Sequence, residues 1–317
     1  MLPFLAEIQD DLRAVNDELR RVLAHHDPVL AETVAHLLAG GKRLRPALTL
    51  LAARFHRYDL DRLLRLAVAL ELLHMATLVH DDVVDRAQTR RGSPTVCATW
   101  GNRISVQVGN YLFARALILT AEYRDPAILR ELAYVCQKMC EGEITQLTGQ
   151  GVASVREYFY RIRCKTALFI GASCRLGAMA VGAPPEICRV LGRYGRFLGM
   201  AYQITDDILD LLGDDRQTGK PAGNDLRQGL VTLPVIYALR RSNDGNYLAR
   251  LVAKNPRAEE EIREMVRLTV AAGGVAEAEA VARRYVAKAI RELEALPAVP
   301  PRNYLQQIAE FIQVRRY

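Results

Sequence analysis

Apolar residues recur every three or four positions along almost the whole chain, the spacing of helices that bury one face. The stretches "PALTLLAARF", "RLLRLAVALELLHMATLVHDDVVD", "SVQVGNYLFARALILTAEY" and "RELAYVCQKMCEGEITQL" carry this period, and several are apolar nearly all round, as in helices at the middle of a bundle. Breaks fall at "HDPVLAE", "AGGKR", "RRGSPT", "GAPPE", "LLGDDRQTGKPAGND", "KNPRAE" and "LPAVPPRN", short runs rich in Gly, Pro, Asn or Asp. No strand alternation or hairpin signal stands between them. The spacing therefore predicts one all-α domain over residues 1–317, built from ten or more helices, with no internal repeat and no long linker.

Composition adds a chemical bias. Half of the 317 residues are hydrophobic, enough for a substantial core, and the formal net charge is +7. Arginine far outnumbers lysine, and its forked guanidinium suits carboxylates and phosphates, so an anionic small molecule is the expected partner. No long basic run or basic-aromatic alternation suggests nucleic acid. Six cysteines (Cys97, Cys136, Cys140, Cys164, Cys174, Cys188) form no CxxC pair, which predicts free thiols in a reducing compartment. Cys136 and Cys140 stand one helical turn apart, yet scattered cysteines are usually small buried hydrophobes. With no signal peptide at its start and no apolar run of roughly 18 residues to span a bilayer, the chain is expected in the cytoplasm.

One departure from this greasy pattern is informative. Asp81, Asp82 and Asp85 end a markedly apolar helix, although aspartate is a mediocre helix former and costly to bury unpaired. At 100° per residue Asp81 and Asp85 lie about 40° apart and about 6 Å along the axis, a spacing that can hold oxygen-loving divalent cations. The DDxxD pattern returns 125 residues later in "YQITDDILDLLGDD" as Asp206, Asp207 and Asp210. Two such helices facing across a bundle would make a carboxylate cage suited to magnesium, which prefers hard oxygen ligands and takes others from substrate phosphates. A single solvated helix end would explain either cluster alone; it explains the pair poorly.

Basic residues complement the aspartates. "GGKRLRP" sets Lys42, Arg43 and Arg45 at a helix start, where backbone N–H groups and the helix dipole already favour phosphate. Arg90 and Arg91 follow the first cluster, Lys165 lies in "RIRCKTALF", and Lys220 follows the second cluster. Each alone reads as a surface charge. His74 lies within about 20° of Asp81 on the same helix face, whereas His80, about 100° round, reads as structural.

With "GGKRLRP" (40–46), "LLHMATLVHDDVVDRAQTRRGSPT" (72–95), "WGNRISVQVGNYLFARA" (100–116), "EGEITQ" (141–146), "RCKTALF" (163–169), "YQITDDILD" (202–210) and "GKPAGNDLRQGLVTLPVIYAL" (219–239), the sequence resembles the trans-polyprenyl diphosphate synthases over nearly its whole length. The wording of 72–116 and the ending "FIQVRRY" are most similar to the catalytic component of two-component heptaprenyl diphosphate synthases. The resemblance implies mainly antiparallel helices around a deep central cavity, and a homodimer or a heterodimer with a small regulatory subunit. It implies head-to-tail condensation of isopentenyl diphosphate with an allylic diphosphate such as farnesyl or geranylgeranyl diphosphate. Peripheral membrane contact would assist release of a hydrophobic product.

Carried over position by position, the resemblance assigns Asp81, Asp85 and Asp206 to three magnesium ions on the allylic diphosphate, supported by Asp82, Asp207 and Asp210. Arg90, Lys165 and Lys220 would contact the same diphosphate. Lys42, Arg45, His74 and Arg91, with Arg43 beside them, would hold isopentenyl diphosphate, while Gln203 and the Lys165–Thr166 region would face the developing cation. Members making short products commonly carry an aromatic residue four or five positions before the first aspartate. Here those positions are Thr77 and Ala76, both small, with Leu73 and Leu70 further down as the next barrier. A product of about C30–C40 follows from an open floor. Asn110, Gln228 and Leu230 depart from the family pattern without removing a proposed ligand, so they bear on a lid or an interface. A class I terpene cyclase would show an Asn/Ser/Glu second motif instead of DDILD, and a non-catalytic partner subunit would have lost aspartates.

Overall fold

A computed structural model of the chain describes residues 7–90, 92–148, 154–213, 222–241, 245–254 and 257–314. In chain order its helices are α1 (Gln9–Leu23), α2 (Pro28–Leu38), α3 (Leu44–Ala53), α4 (Leu60–Val84), α5 (Val96–Ala121), α6 (Pro126–Thr148), α7 (Val155–Ile162), a π-helical turn (Arg163–Ala167), α8 (Leu168–Ala180) and α9 (Pro185–Leu212). They continue with α10 (Asn224–Arg227), α11 (Leu233–Arg241), α12 (Gly245–Ala253), α13 (Glu259–Ala271), α14 (Gly274–Leu293) and α15 (Pro300–Val314). The all-α expectation holds, with one small addition. Thr89–Arg90 and Ser93–Pro94 pair antiparallel as a two-residue hairpin, with Gly92 at φ 78° in the turn. Strands this short carry no alternation for a sequence to display.

Local sequence explains where the long helices begin. The Asp59 side chain accepts the Arg62 N–H at the start of α4, the Thr95 side chain accepts the Ala98 N–H at the start of α5, and Ser154 with Glu157 forms a reciprocal capping box on α7. Helix α3 is buried at every position from Pro46 to Ala53, as its all-round apolar sequence predicts. Helix α4 buries Leu63, Leu66, Ala67, Leu70, Leu72 and Leu73. By length and composition α4 and α5 could each cross a membrane, contrary to the expectation that no run is long enough. In α4 two thirds of that apolar stretch (67%) is buried inside the protein, where it supplies core.

The described residues fall into two compact units. One gathers those of Met1–Tyr134, Ala172–Arg193 and Glu292–Gln307, and the other those of Val135–Gly171, Tyr194–Arg291 and Ile308–Tyr317. In the first unit Gly109 allows α5 to meet the side of α4 that carries His80. A Cβ at that glycine would lie 2.2 Å from His80 Nε2, so any larger residue forces the imidazole away.

The first unit also holds a buried ion pair. Arg43, in the left-handed region at φ 48°, turns its guanidinium inward, where Nη1 lies 3.1 Å from Glu71 Oε1. Its Nε donates to Asn16 Oδ1 at 2.8 Å, and its remaining donors reach the Gly40 and Leu38 carbonyls. Removing one partner of such a pair strands the other in a poor solvent. Glu71→Ala is expected to lower unfolding free energy by about 3 kcal/mol, read from the urea midpoint at constant slope. An unmoved midpoint would show that the other acceptors suffice for Arg43.

Candidate active site

In the first unit, Asp81 closes the last turn of α4 and Asp85 caps it, its N–H donating to the Asp81 carbonyl at 2.8 Å. A helix C-terminus is the negative end of the macrodipole, and no basic residue occupies this last turn. Placing carboxylates there is locally unfavourable and concentrates negative potential where a cation could be held. Asp81 and Asp85 are half-buried, while Asp82 is only 4% exposed. Oδ1 of Asp82 accepts from Arg90 Nε at 2.8 Å and lies 2.7 Å from Arg90 Nη2.

Arg90 reaches Asp82 because the chain reverses sharply after α4. Arg86 takes φ 51°, Ala87 N–H returns to the Asp82 carbonyl at 2.9 Å, and Thr95 Oγ1 donates to the Ala87 carbonyl at 2.6 Å. The hairpin carrying Arg90 is fastened from the other side by His36, whose Nε2 lies 2.8 Å from the Pro94 carbonyl and whose ring meets Trp100 edge-on. Arg91 lies outside the described residues.

The "GGKRLRP" block does precede a helix start, that of α3, with Lys42 exposed and Arg45 half-buried. Arg43 departs from expectation. Its donors serve Asn16, Glu71 and two backbone carbonyls, so it shapes the loop from inside. His74 and Thr77 are half-buried on the Asp81 side of α4, and Thr77 Oγ1 donates to the His74 carbonyl at 2.8 Å. Ala76, Leu73 and Leu70 are buried, at 1%, 2% and 0% exposure. His80 packs on Gly109, in keeping with a structural role.

In the second unit, the second cluster lies on the last turns of α9, again at a helix C-terminus without a basic residue in its last turn. Asp206 and Asp210 are half-buried; Asp207 is 5% exposed. Gln203 Nε2 donates to Asp207 Oδ1 at 2.8 Å and the Tyr158 hydroxyl donates to Oδ2 at 2.7 Å. Burial, with the Asp206 charge adding to it, pushes the Asp207 carboxyl up to about 7 against the pull of those two hydrogen bonds. The same burial beside Asp207 raises the Tyr158 phenol well above its ordinary range, so it stays a donor. The middle aspartate of each DDxxD thus has its carboxylate hydrogen-bonded to protein partners, Asp82 to Arg90 and Asp207 to Gln203 and Tyr158. Asp210 Oδ2 accepts the Asp225 N–H at 2.9 Å.

The π turn supplies Lys165 and Thr166. Lys165 Nζ donates to Glu143 Oε2 at 2.8 Å, and Thr166 Oγ1 donates to Gln203 Oε1 at 2.7 Å. Gly142 makes this approach of α6 to the turn feasible, since a Cβ there would lie 2.7 Å from Cys164 Cβ. Lys220 lies outside the described residues. Sequence reading overlooked Asp225, Tyr158 and Glu143. Burial first, and then the neighbouring Asp210, Asp207 and Asp206 carboxylates, push the Asp225 carboxyl well above the usual carboxylate range. Its position in "GKPAGND" close behind the second cluster was the only available hint. Asn110 and Gln228 are exposed and Leu230 is half-buried.

The donor chemistry fits a hard divalent cation. Asp81, Asp85, Asp206 and Asp210 are oxygen donors at half-buried positions. Among the described residues no three His, Cys, Asp or Glu side chains converge as a ready-made metal nest.

Known proteins carry the same arrangement of sequence and fold. A family model described as polyprenyl synthetase matches residues 27–269. Component 2 of heptaprenyl diphosphate synthase from Geobacillus stearothermophilus is 46% identical over 316 residues, covering 98% of this chain and 97% of that one. A polyprenyl synthase from Caulobacter crescentus CB15, solved with calcium and isoprenyl diphosphate, superimposes with a TM-score of 0.94 at 34% identity, covering 99% of this chain and 97% of that one. Heptaprenyl diphosphate synthase from Staphylococcus aureus gives 0.92 at 31% identity, covering 98% and 99%. With paired DDxxD helix ends, a phosphate-type glycine-basic block and likeness along the full chain, this protein belongs to the polyprenyl synthetase family and has its all-α isoprenoid synthase fold.

Proposed function

We propose that this prenyltransferase, which condenses isopentenyl diphosphate with an allylic diphosphate, makes a long all-trans product of about C30–C40. The observation that carries the reading is the small pair Ala76 and Thr77 one turn before Asp81, where an aromatic ring would stop the chain early. The heptaprenyl names of the relatives in Geobacillus stearothermophilus and Bacillus subtilis support the same length. The whole chain is proposed as one polyprenyl synthase domain.

Bound magnesium, proposed as three ions, would neutralise and polarise the leaving diphosphate. Asp81, Asp85 and Asp206, with Asp210, would hold those ions through carboxylate oxygens. Arg90, Lys165 and Lys220 would meet the allylic diphosphate, and Lys42, Arg45, His74 and Arg91 the isopentenyl diphosphate. Two diphosphates bring about six negative charges, a load that apolar helices accept only with such compensation. Lys165 leaves Glu143 for phosphate as substrate binds. Gln203 and Thr166 turn oxygen atoms toward the allylic carbon as its C–O bond ionises, stabilising positive charge without a competing nucleophile. The double bond of the second substrate then attacks, and the departing diphosphate takes the proton whose loss restores an allylic product. Apolar walls exclude the water that would quench the cation.

Both DDxxD motifs are intact, which favours catalysis over a silent partner role and condensation over cyclisation. The two relatives named as component 2 support a heterodimer with a small second subunit. The test uses purified chain with farnesyl diphosphate, labelled isopentenyl diphosphate and magnesium, followed by dephosphorylation and sizing. The expected result is one long prenyl alcohol of about C30–C40, from the chain alone or on adding the small component. A product of C20 or shorter with the small component present would overturn the length assignment.

A further inference from the structure

Four side chains of the second unit form one hydrogen-bonded chain. The Tyr158 hydroxyl donates to Asp207 Oδ2 (2.7 Å), Gln203 Nε2 donates to Asp207 Oδ1 (2.8 Å), and Thr166 Oγ1 donates to Gln203 Oε1 (2.7 Å). Tyr158 is 0%, Asp207 5% and Thr166 8% exposed, so water competes little for these groups. The chain links three elements, α7, the π turn and α9.

Its direction is set by chemistry. Asp207 accepts from the Tyr158 hydroxyl at Oδ2 and from Gln203 Nε2 at Oδ1, so the amide turns its NH₂ edge toward Asp207. Oε1 of Gln203 is then turned toward Thr166, whose single proton is spent on it. What remains at the free end is acceptor capacity only, the lone pairs of one amide oxygen and one hydroxyl oxygen. A flipped amide would instead present N–H donors there, which repel a developing cation.

We infer that Tyr158 and Asp207 are positioning residues that lock the Gln203 amide and the Thr166 hydroxyl with their oxygens toward the allylic centre, Asp207 acting through Gln203 and not as a metal ligand. This rests on the assignment of Gln203 and Thr166 to that centre. The role also accounts for why the middle aspartate of the second motif is buried while its neighbours are not.

The test compares Tyr158→Phe, Asp207→Asn, their double variant and Gln203→Leu, with steady-state kinetics normalised to folded protein from thermal melts. Tyr158→Phe and Asp207→Asn should each lower kcat by about 10- to 100-fold, the scale of misaligning a reacting group. KM for both diphosphates and the half-saturating magnesium concentration should stay within about twofold, and the double variant should lose little more than the worse single one. Asp207→Asn removes the acceptor-only partner, so it should be the more damaging of the two. A large rise in half-saturating magnesium for Asp207→Asn would make Asp207 a ligand and overturn the inference. Unchanged kcat per folded molecule in Tyr158→Phe, with Gln203→Leu impaired, would overturn it while leaving the role of Gln203 intact. Unchanged kcat in Gln203→Leu would instead remove the assignment on which it rests.

Discussion

Alanine at both Asp81 and Asp206 is expected to lower condensation by at least about a thousandfold at saturating magnesium, close to 4 kcal/mol of transition-state stabilisation. The reason is electrostatic. Ionising the allylic C–O bond leaves a diphosphate in apolar surroundings, and carboxylate-held cations supply much of its neutralisation. Radiolabel incorporation normalised to folded protein from a thermal melt checks this, and turnover within tenfold of the parent would sink the metal assignment.

Thr77→Phe is expected to shift the product from about C30–C40 to C20 or shorter with kcat for the first addition largely kept. On α4, Thr77, His74 and Leu70 lie within about 40° of the Asp81 direction, whereas Ala76 lies about 140° round. Thr77 is half-buried and can accept a ring without displacing core, and Leu70, fully buried, marks the next floor. Ala76→Phe should also shorten the product, but at 1% exposure it overpacks the core and should lose about 1–3 kcal/mol of stability. Sizing of dephosphorylated products decides between them. An unchanged distribution for both variants would remove α4 as the wall that sets length.

Most of the helices were legible because their apolar period is strong and their breaks carry Gly, Pro and Asp. The aspartate clusters were legible because a charged pair at helical spacing on a greasy helix has few structural explanations. Partnerships were not. Tyr158 and Asp207 are 49 residues apart, Arg43 and Glu71 28, Lys165 and Glu143 22, and no periodicity connects positions on different elements. Arg43 illustrates the limit. Flanked by Lys42 and Arg45 it looks like a third phosphate ligand, and only its left-handed backbone, which a sequence does not display, turns it inward. The partners of the middle aspartates were hidden for a related reason: spacing shows which residues share a helix, and burial decides which of them face a protein partner.

The π turn at Arg163–Ala167 makes the active-site geometry depend on a count of residues as well as on their kinds. Its hydrogen bonds span one residue more than those of an α-helix. The wider turn takes up its extra residue locally, about 80° of rotation per residue against about 100° in an α-helix, so losing one residue there would leave α7 and α8 close to their present register. What would change is which residues of the turn face α6 and α9, and with them the Lys165–Glu143 and Thr166–Gln203 contacts. Across this stretch, spacing is itself part of how the site is built, and a variant that keeps all the motifs but shortens the turn by one should keep Tyr158 on Asp207 while losing one or both of those contacts.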